Sequence, residues 1–141
     1  TISGLSAEEA KERLVESLKE EAKTQTRLEI LCSTGTISNE TREVMLNVIK
    51  MFQEKHQITL TEENGAMMTT HLSMAITRVK NNEPVKVINE EVYQEILESE
   101  FLEKAQEIYK DLESVLDVKL PEDEKKYMLV NICTILDIIN N

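Results

Sequence analysis

The sequence predicts an all-α fold, a five-helix bundle built as one domain over residues 1–141. Three observations carry that expectation. Turn residues are scarce, with three Gly and two Pro, too few for the many turns of an all-β fold. Apolar residues recur at helical spacing in several long stretches. Thr, Ile and Val occur throughout, but nowhere in the sustained period-two alternation of a half-buried strand. Hydrophobic residues make up 40% and charged residues 30% of the chain, the balance of an ordinary globular domain long enough to bury one core.

The first helix is expected to begin at Ser6, because Ser6 and Glu9 have the spacing of a capping box. Leu14, Leu18, Ala22, Leu28 and Leu31 follow as a thin stripe, so the outer turns are expected on the surface or against a partner chain. Residues 33–36 read as a break. Ser38 caps the second helix, whose apolar face holds Met45, Val48, Ile49 and Phe52. Thr61 caps the third, with Glu62 and Glu63 placed to favour the helix dipole. Its buried stripe is Met68, Leu72, Ala75, Ile76 and Val79, and it ends before Pro84. The fourth helical region starts at Asn89 and runs through the strongest pattern in the chain, from Phe101 to Leu116, with a kink or short break at residues 98–100. Leu120, Pro121, Glu122, Asp123 and Glu124 form an entry signal for the fifth: Pro near the first helical position, then three carboxylates facing the helix dipole. That helix is apolar around much of its circumference and is expected at the centre of the bundle.

Charge excludes several classes of function. The net charge of −11 and the pI near 4.7 repel phosphate backbones and anionic lipid surfaces, so no direct nucleic-acid binding is expected. No apolar run approaches the ~20 residues that span a bilayer, so no membrane insertion is expected, and no signal-peptide pattern opens the chain. Cys32 and Cys133 make no CxxC pair and sit in apolar helical contexts. They read as buried reduced thiols, which implies a cytoplasmic location.

Few residues offer chemistry. No metal site and no cofactor are expected, because no His, Cys or carboxylate set has ligand spacing and no Gly-rich phosphate loop exists. No nucleophile elbow is present, so the chain is not expected to be an enzyme. His56, in a polar connection, reads as a solvated side chain. His71 lies mid-helix beside the apolar stripe and, on its surroundings alone, reads as a boundary histidine with a satisfied ring. Met67 and Met74 share its face and read as core filling, with an adaptable binding surface as the alternative.

Two segments together resemble a known family. The run from Met68 through His71, Ala75 and Ile76 to Arg78 resembles the first signature of the PTS regulation domain (PRD), in which a phosphorylatable His precedes an x3-Ala-Ile-x-Arg run. The run from Leu120 through Glu124 and Tyr127 to Asn131 and Ile132 resembles the second signature. The resemblance covers residues 38–141, with residues 6–31 a plausible first helix. It implies a stand-alone, homodimeric five-helix bundle that works as a phosphorylation-sensitive regulatory module in carbohydrate uptake or transcription control. His71 would be the phosphoacceptor, taking phosphate from a phosphocarrier or a sugar-specific component of the phosphotransferase system. Arg78 and Asn131 would be neighbours of the phosphate or of the interface. Arg78 stands seven residues beyond His71, about 10 Å along a helix axis. Two departures bear on this. Asn131 stands where the family often has its second His, and an amide does not carry a phosphoryl group as a ring nitrogen does. Thr70 stands where many relatives have Asp. The alternative is a constitutive helical dimerisation or adaptor module that has lost phosphate control.

Overall fold

The computed structural model describes residues 6–84 and 87–141. Six α-helices follow one another: α1 (Ala7–Ser33), α2 (Asn39–His56), α3 (Glu62–Lys80), α4 (Glu90–Leu97), α5 (Leu102–Val115) and α6 (Glu122–Ile139). No strand occurs among the described residues. The count is six helices rather than five, because the expected fourth region divides. The chain leaves α4 at Glu98, and Ser99 Oγ accepts the Phe101 N–H at 3.0 Å. This local bond competes with helix continuation and lets α5 start in a new direction.

The helix entries follow local chemistry. Ser6 accepts from the Glu9 N–H and Ser38 from the Thr41 N–H, each at 3.1 Å. Thr61 and Asn64 close a reciprocal capping box, with distances of 3.0 and 2.9 Å, which satisfies two otherwise orphan donors. Asn89 accepts from the Glu91 N–H at 2.8 Å. The entry of α6 has no side-chain cap, but Glu122, Asp123 and Glu124 occupy its first turn. Between α1 and α2 the backbone reverses at Gly35, whose φ of 78° favours glycine.

α6 packs against α3, α4 and α5, and α3 also touches α1 and α2. Helices α3 and α6 are therefore the middle of the bundle, as the all-round apolar character of the last helix implies. Phe52, Leu72, Ile108, Leu112, Met128 and Ile132, from α2, α3, α5 and α6, belong to one core cluster and are all fully buried. Each such side chain contributes about 1.5–3 kcal/mol by leaving water. α1 is different. Only Thr24 and Leu28 of its 27 residues are buried, and Leu14 is 61% exposed.

Three expectations change. His56 is not solvated: its side chain is 3% exposed, and its Nε2 lies 2.7 Å from Asp111 Oδ2. Lys104 Nζ lies 3.2 Å from the other ring nitrogen. Met67, 79% exposed, and Met74 are surface residues rather than core, because the buried face of α3 is the one that carries Met68, Leu72, Ala75 and Ile76 and leaves this flank open. Cys133 is a buried thiol as expected, but Cys32 is only half-buried, and its thiol points to Asn39 Oδ1 at 3.1 Å.

Candidate functional site

The capping box at Thr61 fixes the start of α3, and burial of Met68, Leu72, Ala75 and Ile76 fixes its rotation. His71 then lies at the edge of the packed face. Arg78, two turns on, lies above it on the same side. α6 presents Glu124 in its first turn, with Tyr127 one turn further along the same face.

Glu124 joins these elements. Its side chain is 1% exposed. His71 Nε2 donates to Oε2 at 3.0 Å, and Arg78 Nη2 donates to Oε1 at 3.0 Å. A carboxylate only accepts, so this bond places the proton on Nε2 of the ring. A carboxylate buried this deeply requires such partners, since an unpaired one would be costly to desolvate. Tyr127 adds a flat contact: its ring lies on the imidazole with centroids 4.2 Å apart and planes 11° from parallel. One edge and one face of His71 are thus set by α6.

The other wall of the site comes from α1. Arg27 donates from Nε and Nη2 to the two carboxylate oxygens of Glu62, both at 3.1 Å, and from Nη1 to Thr70 Oγ1 at 3.3 Å. Arg27, Thr70, His71, Met74 and Arg78 line one open cleft. His71 and Arg78 are each about one-sixth exposed, 17% and 18%, so the cleft reaches them from solvent. Each guanidinium of the cleft is already matched by a carboxylate, Arg27 by Glu62 and Arg78 by Glu124, so the cleft offers arginine donors without an excess of positive charge.

The structure therefore brings His71 and Arg78 together through a common carboxylate. Asn131 lies further along α6. Its Nδ2 donates to the Tyr127 carbonyl at 3.0 Å, and it lines the adjoining cleft beside Tyr127 and Met67. Sequence reasoning gave no site role to Glu124, Tyr127 or Arg27. Glu124 and Tyr127 share a helix face at i, i+3, which is a legible signal for a common target. Arg27 has no such local signal. Among the described residues, no three His, Cys, Asp or Glu side chains gather closely enough to hold a metal ion.

The profile of the PRD domain matches residues 46–133, more than half of the chain. The chain belongs to the PRD family. It is also similar to a protein of Escherichia coli (strain K12) called "Uncharacterized protein YhfY", with 23% identity over 108 residues, which are 77% of this chain and 90% of that protein. No solved structure matches it significantly. Within the PRD span lie His71, Arg78, Glu124, Tyr127 and Asn131. Arg27 and all of α1 lie outside it, so part of the wall around His71 comes from beyond the family segment.

Proposed function

We propose that this PRD is a phosphorylation-sensitive regulatory module of the phosphotransferase system, linked to carbohydrate uptake or transcription control, with His71 as its phosphoacceptor. The observation that carries the reading is the setting of His71: a half-buried imidazole, held in one orientation by Glu124 and Tyr127, at the rim of a cleft with two arginines. A held ring reduces the freedom lost when a donor docks. In the transfer, a ring nitrogen of His71 attacks the phosphorus of a donor phosphohistidine. The new N–P bond forms as the donor's N–P bond breaks. His71 gives up its ring proton, and the departing donor imidazole takes one up, so charge and protons balance.

The product carries a charge of about −1.5 to −2 if it resembles other phosphorylated side chains. That charge would arrive beside the buried carboxylate of Glu124 and oppose it, while a guanidinium free to move in the cleft would be drawn towards it. The tie between α3 and α6 is the element such a change would loosen. The protein acts by binding a partner rather than by catalysis, in the cytoplasm and as a homodimer, with no nucleic acid of its own to hold. Among the described residues no helix is long and apolar enough to cross a membrane.

The test is intact-protein mass after incubation with phosphoenolpyruvate, Enzyme I and the phosphocarrier protein. One acid-labile phosphate on the wild type and none on His71→Ala is the expected result. No phosphate from this route or from a sugar-specific donor would overturn it. A second reading, a constitutive adaptor, is favoured by one observation. His71 already has a hydrogen bond to Glu124 and a stacked neighbour, as a purely structural histidine would. In that case His71→Ala would leave partner binding intact.

A further inference from the structure

The two arginines of the cleft are held very differently. Arg78 is tied to Glu124, which is 1% exposed. Pulling Arg78 away would strip that buried carboxylate of its guanidinium partner, an expensive change. Arg27 is paired with Glu62, and both side chains are 37% exposed. Solvent screens a pair this open, so even with its two-bond geometry it is held more weakly than a buried one. Glu62 also stands in the first turn of α3, where the helix dipole stabilises a carboxylate without help from an arginine. Arg27 therefore leaves its partner at a lower cost than Arg78 leaves Glu124.

Arg27 is already close to the reacting position. Its Nη1 lies 3.3 Å from the hydroxyl of Thr70, the residue before His71, and it lines the same cleft as the imidazole. A phosphoryl group offers three acceptor oxygens and more charge than one carboxylate, and the planar guanidinium fits it in a two-bond fork. Resting on the phosphoacceptor role of His71, we propose that Arg27 of α1 is the mobile phosphoryl-binding residue of this site. It exchanges Glu62 for the phosphoryl group on His71, while Arg78 stays on Glu124. Helix α1 is thereby coupled to the phosphorylation state, through a residue outside the segment that matches the family.

The experiment measures the phosphorylated fraction of His71 at a fixed ratio of phosphorylated to unphosphorylated carrier protein, for the full chain and its variants. Arg27→Gln is expected to lower the ratio of phosphorylated to unphosphorylated His71 about tenfold, the loss of one charge-assisted contact. Arg27→Lys should recover part of it. Glu62→Gln should raise the ratio, because it releases Arg27 beforehand; a merely structural salt bridge would give the same sign for both variants. If the wild type is phosphorylated on His71 and both Arg27→Gln and Glu62→Gln stay within about twofold of it, Arg27 has no such role and the reading of His71 stands.

If the wild type takes no phosphate, that reading fails instead, and a fixed charge decides the question for Arg27 without any donor. His71→Asp is introduced with and without Arg27→Gln, and the melting temperatures are compared. The drop caused by His71→Asp should be larger by about 3–5 °C in the Arg27→Gln background. Equal drops in both backgrounds would show that Arg27 does not answer a negative charge at position 71.

Discussion

Glu124 and His71 are 53 residues apart in sequence, and their side chains meet at 3.0 Å. The contact joins the entry of α6 to the middle of α3, and Arg78 completes it from one helical face. Removing its centre should be costly. Glu124→Ala leaves Arg78 and His71 facing a cavity, although both still reach solvent in part. The expected loss is about 2–4 kcal/mol, below the value for a fully enclosed pair. Urea denaturation would read it as a lower midpoint at unchanged slope. A midpoint equal to the wild type would mean that the tie contributes nothing.

Tyr127 acts on His71 through its ring face. Tyr127→Phe keeps the face and should leave stability within about 0.5 kcal/mol of wild type. Tyr127→Leu removes the stacked pair and should lose about 1 kcal/mol. Histidine ring signals in NMR spectra provide a local check, since the His71 resonances should move in the Leu variant and hold in the Phe variant.

The two halves of α1 should respond differently to the same substitution. Leu28→Ala empties a position that is 0% exposed and should cost about 2–5 kcal/mol. Leu14→Ala lies on the open half and should cost no more than about 0.5 kcal/mol. Thermal melts of the isolated chain at low concentration separate the two. A large effect at Leu14 that grows with protein concentration would instead reveal that this half is covered by a second copy.

Burial holds the Tyr109 phenol well above its usual range, and its hydroxyl has no hydrogen-bond partner. The folded state therefore keeps this proton more tightly than the unfolded chain, whose phenol titrates near 10. Stability from this group is complete below about pH 10 and falls as pH rises further. Tyr109→Phe should remove that alkaline loss. It should also raise stability at neutral pH by about 1 kcal/mol, since an unpaired buried hydroxyl disappears. Urea midpoints at pH 7 and pH 10.5 test both statements together.

The two thiols should differ in reactivity. Burial raises the pKa of Cys133, with a smaller opposing effect from a hydrogen bond to Ser99. Cys32 is half-buried. At pH 8, a thiol reagent should modify Cys32 promptly, and Cys133 only at the rate of local opening. Equal rates at both positions would contradict the packing of α6.

Much of the fold was legible because it is written locally. Ser6, Ser38, Thr61 and Asn89 each cap a helix through an atom two or three residues away. The apolar stripes then identified the core faces of α2, α3, α5 and α6. The separation of α4 from α5 was visible as a kink or short break at residues 98–100, and the choice between the two stayed open because a Ser side chain bonding a nearby backbone N–H leaves no gap in the apolar pattern. In the site, His71 and Arg78 came from the resemblance to the PRD signature, whereas the surroundings of His71 alone gave it only a boundary role. Glu124 was read as a first-turn carboxylate facing a helix dipole, which accounts for its position but not for its burial. The partner that explains its burial lies on another helix. His56 was misread for the same reason, since Asp111 is 55 residues away. Met67 and Met74 were assigned to the core by residue type, whereas the rotation of α3 set by Met68 and Leu72 points them to solvent.

The central place of α6 has a consequence for how the protein is made. It is the last described helix to be synthesised, yet α3, α4 and α5 all lean on it. While a ribosome is still translating the middle of the chain, α1, α2 and α3 can close on one another, but the faces that α3, α4 and α5 turn to α6 have nothing to cover them. Those faces stay open until Met128 and Ile132 emerge, and the pairing of His71 with Glu124 can form only then. During that interval the nascent chain has its histidine but lacks the carboxylate and the tyrosine that orient it. The contacts around His71 would therefore be complete only once α6 has left the ribosome, and chains interrupted before it would present open hydrophobic faces to chaperones and proteases.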